Sequence, residues 1–220
     1  MSNQIAYISE AFVSKKFGYT ESRDEESGLM SLMLEGEFQR ANAKNRNTRM
    51  YSNPLLSRET TKLAALIEDR GGLPMGMDHP IPDGSDASMV RVQRIGLENS
   101  CGLTTMLEMH GDIVYGKAKA LVGDNSTGDK IAAFVKHGYK PGVSSRGLGG
   151  DPIHTNEGYV LVPEDYNMIC YDFVTNPSTH NAILQRSFQE EVNNWEQSNI
   201  HERKVWEVLT DLTNKNLRVK

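Results

Sequence analysis

Hydrophobic and polar positions along the chain follow two different periods, and each period predicts a different element. After Ser52 and Asn53, the residues Leu56, Leu63 and Ile67 fall on one helical face, and Gly71-Gly72 stops the pattern. Either Ser52 or Asn53 can cap this helix, and Pro54 in its first turn loses nothing, because that N–H has no helical partner anyway. A second helix is predicted over residues 127–137, capped by Asn125, Ser126 or Thr127 and closed by Gly138. β-branched and alternating stretches predict a strand over 90–97, with a bulge near Gln93-Arg94. A hairpin is predicted from 104–109 and 113–121 around His110-Gly111-Asp112, with two further strands over 157–162 and 166–174. The run 142–150 is too rich in glycine to be regular structure throughout. Strands outnumber helices in antiparallel-looking neighbours, which predicts an α+β fold with a barrel or curled sheet.

The two ends read differently. Residues 21–28 (ESRDEESG) are acidic and turn-rich, a solvated loop by pattern, and a folded domain begins at about Gly36. Beyond Ser178 the chain is polar and helical over 181–208, with Phe188, Val192 and Trp195 on one stripe and Val205, Leu209 and Leu212 on a later one. The division is therefore an N-terminal extension over 1–35, a domain over 36–178 and a helical extension over 179–220.

Composition narrows the function classes. The 220 residues are 38% hydrophobic and 24% charged, ordinary usage for a soluble protein. A net charge of −5 gives no electrostatic case for nucleic acid as a partner. Apolar runs fall far short of a membrane span, and residues 1–10 lack the features of a secretory signal. Two cysteines, Cys101 and Cys170, are too few for a disulfide framework or a four-ligand zinc site, which suits a reducing compartment.

Some motifs are decoys. Gly123 to Lys130 has the glycine spacing of a phosphate-binding loop, but Asp129 stands where its lysine belongs and would repel phosphate. Gly147-Leu148-Gly149-Gly150 lacks a complete dinucleotide fingerprint. The six histidines show no metal-site spacing, so neither a metal nor another cofactor is expected.

Three segments carry candidate chemistry. In Asp78-His79-Pro80 the proline biases His79 to an extended backbone and fixes where the ring projects. In Gly142-Val143-Ser144-Ser145-Arg146-Gly147, two serines follow a proline-glycine bend, with arginine and glycine able to stabilise a developing oxyanion. A serine needs a base to become nucleophilic, and histidine is the usual one. The strand over 166–174 is apolar on both faces yet carries Asp172, a carboxylate that is costly to bury unless paired. Either a histidine ring or an arginine such as Arg146 would justify it.

The ordered set Phe38-Gln39-Arg40-Ala41, Asn45-Arg46-Asn47 with Arg49 and Tyr51, Asp78-His79-Pro80, Val114-Tyr115-Gly116, Gly128-Asp129-Lys130 and the GVSSRGLG run from Gly142 to Gly149 resembles the prohead core protein proteases of T-even-type tailed phages. The resemblance covers about residues 36–178. It implies a serine endopeptidase with the fold shared by herpesvirus assemblins and phage maturation proteases, a small antiparallel β-barrel surrounded by helices. Carried over, His79 is the general base and Ser144 the nucleophile. Ser145, Arg146 and Gly147 would shape the oxyanion and substrate site. Phage relatives complete the triad with a carboxylate, for which Asp172 is the choice from the strand argument, ahead of Glu59 and Asp112.

The family cuts scaffold and capsid proteins inside the immature head, in the host cytoplasm. It cuts after glutamate with an aliphatic residue two positions earlier. Ile8-Ser9-Glu10 and Ile200-His201-Glu202 fit that pattern, so the two extensions are expected to be pro-segments or assembly handles trimmed after Glu10 and Glu202, with self-association as a further expectation. Leu66-Ile67-Glu68 also fits but lies in the first helix. The rival reading is a catalytically inactive scaffold or capsid-assembly protein of the same fold.

Overall fold

A two-residue alternation runs along residues 32–38, where Leu32, Leu34, Gly36 and Phe38 are buried and Met33, Glu35 and Glu37 are more exposed. The computed structural model describes residues 6–12, 20–23, 30–83, 85–123, 126–177, 182 and 184–186, and this strand is central to it. In chain order the strands are β1 (Ala6–Phe12), β2 (Thr20–Arg23), β3 (Met30–Arg40), β4 (Arg49–Met50), β5 (Leu73–Gly76) and β6 (Ser100–His110). They continue as β7 (Ile113–Val122), β8 (Gly142–Gly149), β9 (Ile153–His154), β10 (Val160–Leu161), β11 (Asn167–Val174) and β12 (Gln185–Arg186). The α-helices are α1 (Asn53–Arg70), α2 (Asp86–Gln93) and α3 (Ser126–Lys136).

The strands form three sheets. The largest has the order β12-β3-β7-β6-β5, with β2 also on β3; β1-β8-β11 and β4-β10-β9 are the others. Apart from the parallel β4–β10 pair, the ladders between described strands are antiparallel. The class is therefore α+β, as expected, while no closed barrel ladder is seen among the described residues.

Two predicted elements are found nearly as read. The hairpin is β6–β7, turning at Gly111 with φ +61°, a conformation glycine adopts without strain. The first helix is α1, whose N-cap Ser52 accepts the Leu55 N–H at 3.3 Å and whose C-cap Gly71 is left-handed. It buries Leu55, Leu56, Leu63 and Ile67, each worth about 1.5–3 kcal/mol when fully buried. In the sheet beneath, Gly36 pairs with Gly116, and the Phe38 ring fills the space over Gly116, where a Cβ would stand 2.6 Å away.

Other expectations are corrected. The strand expected over 90–97 is absent: residues 90–93 close the helix over 86–93, because Ser85 caps the Ser88 N–H, Asp86 suits the helix start, and the buried pair Ser88 and Val92 has helical spacing. The glycine-rich run is regular after all: β8 pairs on both edges, and Gly142 and Gly147 are needed for close approach of Pro177 and Tyr166. The strand expected over 157–162 shrinks to Val160–Leu161, since Gly158 with φ +74° turns the chain between Thr155 and Tyr159. Residues 21–23 of the acidic run pair with β3 as part of β2, and Gln185–Arg186, expected as helix, also pair with β3. Beyond Arg186 the C-terminal segment, including Glu202, lies outside the described residues.

Candidate active site

Cross-strand register builds the site. Ser144 on β8 lies opposite Asp172 on β11, so both side chains stand on one face of the sheet. Arg146, two residues on, shares that face and lies opposite Cys170, past an irregularity between Met168 and Cys170. Ser145 and Gly147 point to the other face.

His79 arrives from the segment after β5, which is stitched to β11 by its backbone. The Gly76 N–H donates to Asp172 Oδ1 at 2.9 Å, and the Asp78 N–H donates to the Phe173 carbonyl at 2.7 Å. Met77 also forms a parallel bridge with Phe173. Asp78 holds φ +59°, a left-handed conformation that aspartate tolerates better than most residues. The turn so made, followed by Pro80, carries the imidazole over the sheet.

There it joins the two strand residues. His79 Nδ1 lies 2.8 Å from Asp172 Oδ2, and Nε2 contacts Ser144 Oγ. An ionised carboxylate only accepts, so Nδ1–H donates to Asp172 and Nε2 is left to accept the Ser144 hydroxyl proton. Asp172 is fully buried and Ser144 nearly so. Burial alone would raise the Asp172 pKa; the His79 hydrogen bond, the charges of Arg146 and His79 and the Gly76 amide outweigh it and hold the carboxyl below its ordinary value. Both thiols are the opposite case: burial, reinforced by Asp172, pushes Cys101 up to about 12 and Cys170 well above its usual range, so neither is a nucleophile at neutral pH.

Arg146 takes the partner role weighed for Asp172. Its Nη2 donates to Asp172 Oδ1 at 3.0 Å, and Nε lies 2.9 Å from Oδ2 as an ion-pair contact. Nη1 donates to the Arg91 carbonyl at 2.7 Å and approaches those of Val92 and Arg94 at 3.4 Å. The Ser145 hydroxyl is buried with no hydrogen-bond partner among the described residues, and Gly147 lies against the Tyr166 ring, where a Cβ would stand 2.5 Å away. Ser145 and Gly147 therefore lie on the face of β8 away from the Ser144 hydroxyl, while the Arg146 guanidinium, on the Ser144 face, is engaged by Asp172 and the α2 carbonyls.

The alternative acids sit elsewhere. Glu59 is clamped by Arg58 and Lys62 and accepts the Met168 N–H at 2.8 Å, tying α1 to β11. Asp112 accepts from Asn42 at 3.1 Å and Asn53 at 2.7 Å near the β6–β7 turn. Glu10 lies in β1, paired with Ser145.

Two cavities flank the His79 segment, with Met77 and Asp78 in the wall of each. One, of about 220 Å³, is the more polar of the two and is bounded in part by His79, Arg91, Arg94 and Glu98. The other, of about 340 Å³, is apolar and bounded by Ile131, Phe134, Tyr139 and Phe173. Among the described residues no group of three or more His, Cys, Asp or Glu side chains converges as a metal site, and no helix is long and apolar enough to cross a membrane. Pattern reading missed the Gly76 amide and the closure of the site by α2. The Ser85 cap was the available signal for the second; backbone donors leave none.

Comparison with known proteins gives a consistent picture. The family model described as prohead core protein serine protease matches residues 9–194. The prohead core protein protease of Enterobacteria phage T4 is 33% identical over 155 residues, which is 69% of this chain and 66% of that relative, just under two thirds of its length. The solved structure of the bacteriophage T4 capsid assembly protease matches with a TM-score of 0.66 and 27% identity, covering 79% of this chain and all of that one.

Proposed function

Because this chain belongs to the family of prohead core protein serine proteases, we propose that Ser144, His79 and Asp172 act as nucleophile, base and acid of a serine endopeptidase. The observation that carries this reading is the continuous line from Asp172 Oδ2 through the imidazole to Ser144 Oγ, assembled from segments 65 and 93 residues apart in sequence. Ser144 attacks the scissile carbonyl while His79 takes its proton and passes it to the leaving amine. Water then hydrolyses the acyl-enzyme by the reverse proton path.

The family and its relatives support scaffold and capsid proteins of a phage head as the substrates, met inside the prohead. In fold, β11 running beside β5 and β1 beside β3 supports a barrel-like curling of the six-stranded sheet and the β1-β8-β11 sheet. Self-cleavage after Glu10 fits this reading on one condition. That peptide bond lies in a ladder with β8, so β1 must leave β8 before the bond can be cut. The same pairing leaves β8 engaged on both edges, which supports a latent form before trimming.

The test is cleavage of a co-expressed phage scaffold protein. Ser144→Ala is expected to lower the rate by roughly a million-fold, as for loss of a serine nucleophile elsewhere, with the fold intact by circular dichroism. Full cleavage by that variant would refute the mechanism. Mass spectrometry of the active protein tests the trimming, and ends that stay intact would remove it.

A further inference from the structure

Arg146 does more than neutralise a buried charge. Its side chain is 3% exposed, and its contacts divide between Asp172 on one side and the last carbonyls of α2 with the residue that follows on the other. Both are places where a guanidinium is favoured: a carboxylate offers the fork two acceptors, and helix C-terminal carbonyls carry partial negative charge and lack intrahelical partners. α2 has only eight residues, buries Ser88 and Val92, and packs chiefly on β8. Its C-terminal end also supplies Arg91 and its C-cap Arg94 to the wall of the polar cavity beside His79.

We propose that Arg146 is a positioning residue that clamps α2 to Asp172, so that docking of α2 over the polar cavity and orientation of the triad acid are one event. This rests on the triad reading above and adds a coupling to it. A peptide side chain entering the cavity meets the segment whose carbonyls hold Arg146. Loosening that segment leaves the guanidinium with half its acceptors and shifts the plane of the carboxylate it holds. The other titratable or charged groups facing the cluster are His79 and Asp78 on the loop, Arg91, Arg94 and Glu98 on the cavity wall, and the Cys101 and Cys170 thiols. Arg146 alone among the cations is in contact with both α2 carbonyls and Asp172 among the described residues.

The test uses Ser144→Ala as background, so that no readout needs turnover and the coupling fails or stands apart from the protease reading. Hydrogen exchange reports on α1 and α2, and carbon NMR follows titration of the Asp172 carboxyl. Arg146→Lys keeps a charge near Asp172 but cannot reach both sets of acceptors. It is expected to raise exchange across α2 at least tenfold while α1 keeps its protection. Arg146→Gln is expected to do the same and to raise the Asp172 titration midpoint by about one unit. Equal loosening of α1 and α2 would mean general destabilisation and would overturn the proposal, as would an unmoved midpoint in a folded Arg146→Gln protein. If neither variant folds, Ser85→Ala loosens α2 from its far end. It is expected to raise that midpoint by a few tenths of a unit, and a midpoint that stays fixed while α2 exchange rises would overturn the coupling.

Discussion

β11 meets two buried carboxylates, and they differ in what their partners can do. Glu59 and Asp172 each accept a backbone N–H, from Met168 at 2.8 Å and from Gly76 at 2.9 Å. Each is also held by two basic groups. The partners of Glu59 are Arg58 and Lys62, whose side chains are 48% and 37% exposed, so solvent screens them. Those of Asp172 are Arg146 at 3% and His79 at 16%. Burial raises the pKa of both acids and hydrogen bonds and charges lower it further, so neither burial nor shift separates them. What separates them is the imidazole: it has a second nitrogen, and that nitrogen touches a hydroxyl. A buried acid becomes a candidate for chemistry when its partner can pass a proton on.

The largest effect that would sharpen this contrast is on turnover. Asp172→Asn keeps the shape but can no longer stabilise the imidazolium or enforce its tautomer, so kcat is expected to fall roughly 10⁴-fold. Steady-state cleavage of a peptide ending its acyl side in glutamate would measure it. A fall of less than tenfold would put Asp172 on the same footing as Glu59.

Glu59→Gln is the matched control, with its effect on stability. Glutamine can still accept the Met168 N–H, while the charge facing Arg58 and Lys62 is lost, at an expected cost of about 1–2 kcal/mol in denaturant unfolding. Cleavage by the folded fraction is expected to stay within about threefold. The pH dependence carries the same sign for both acids. Each folded-state pKa lies below its ordinary value, so each contributes stability that is fully present above the ordinary carboxylate range and lost as pH falls through the depressed value. Glu59→Gln should therefore flatten the acid side of the stability curve. An unchanged acid slope would mean the unfolded state holds Glu59 equally well.

The same contrast marks how far a sequence can be read. Asp172 stood out because a carboxylate interrupts a strand apolar on both faces, and His79 because proline follows it; both are local signals. Pairing them needed family resemblance, since nothing in the periodicity brings positions 79, 144 and 172 together. Residues 90–97 were misread as a strand because the β-branched Val90 and Val92 outweighed the Ser85 cap. The glycines of β8 look like loop punctuation until the Tyr166 ring and Pro177 are seen to need the space. Such tertiary reasons for a residue leave no trace along the chain.

The smallest expected effect tests that last point within two adjacent serines. Ser144 and Ser145 share composition and neighbourhood in sequence, yet strand alternation sends their hydroxyls to opposite faces of β8. Among the described residues the buried Ser145 hydroxyl has no partner, a state that forfeits hydrogen bonds to water without replacing them. Ser145→Ala removes that unmet donor and leaves the backbone pairing with β1 and β11 in place. Stability is expected to hold or rise by up to about 1 kcal/mol, set against the small void left by one oxygen. Cleavage should match the unmodified protein in kcat/KM. A loss as deep as that of Ser144→Ala would mean that β8 is rotated by one residue in the working enzyme, and both the nucleophile and the acid opposite it would have to be reassigned.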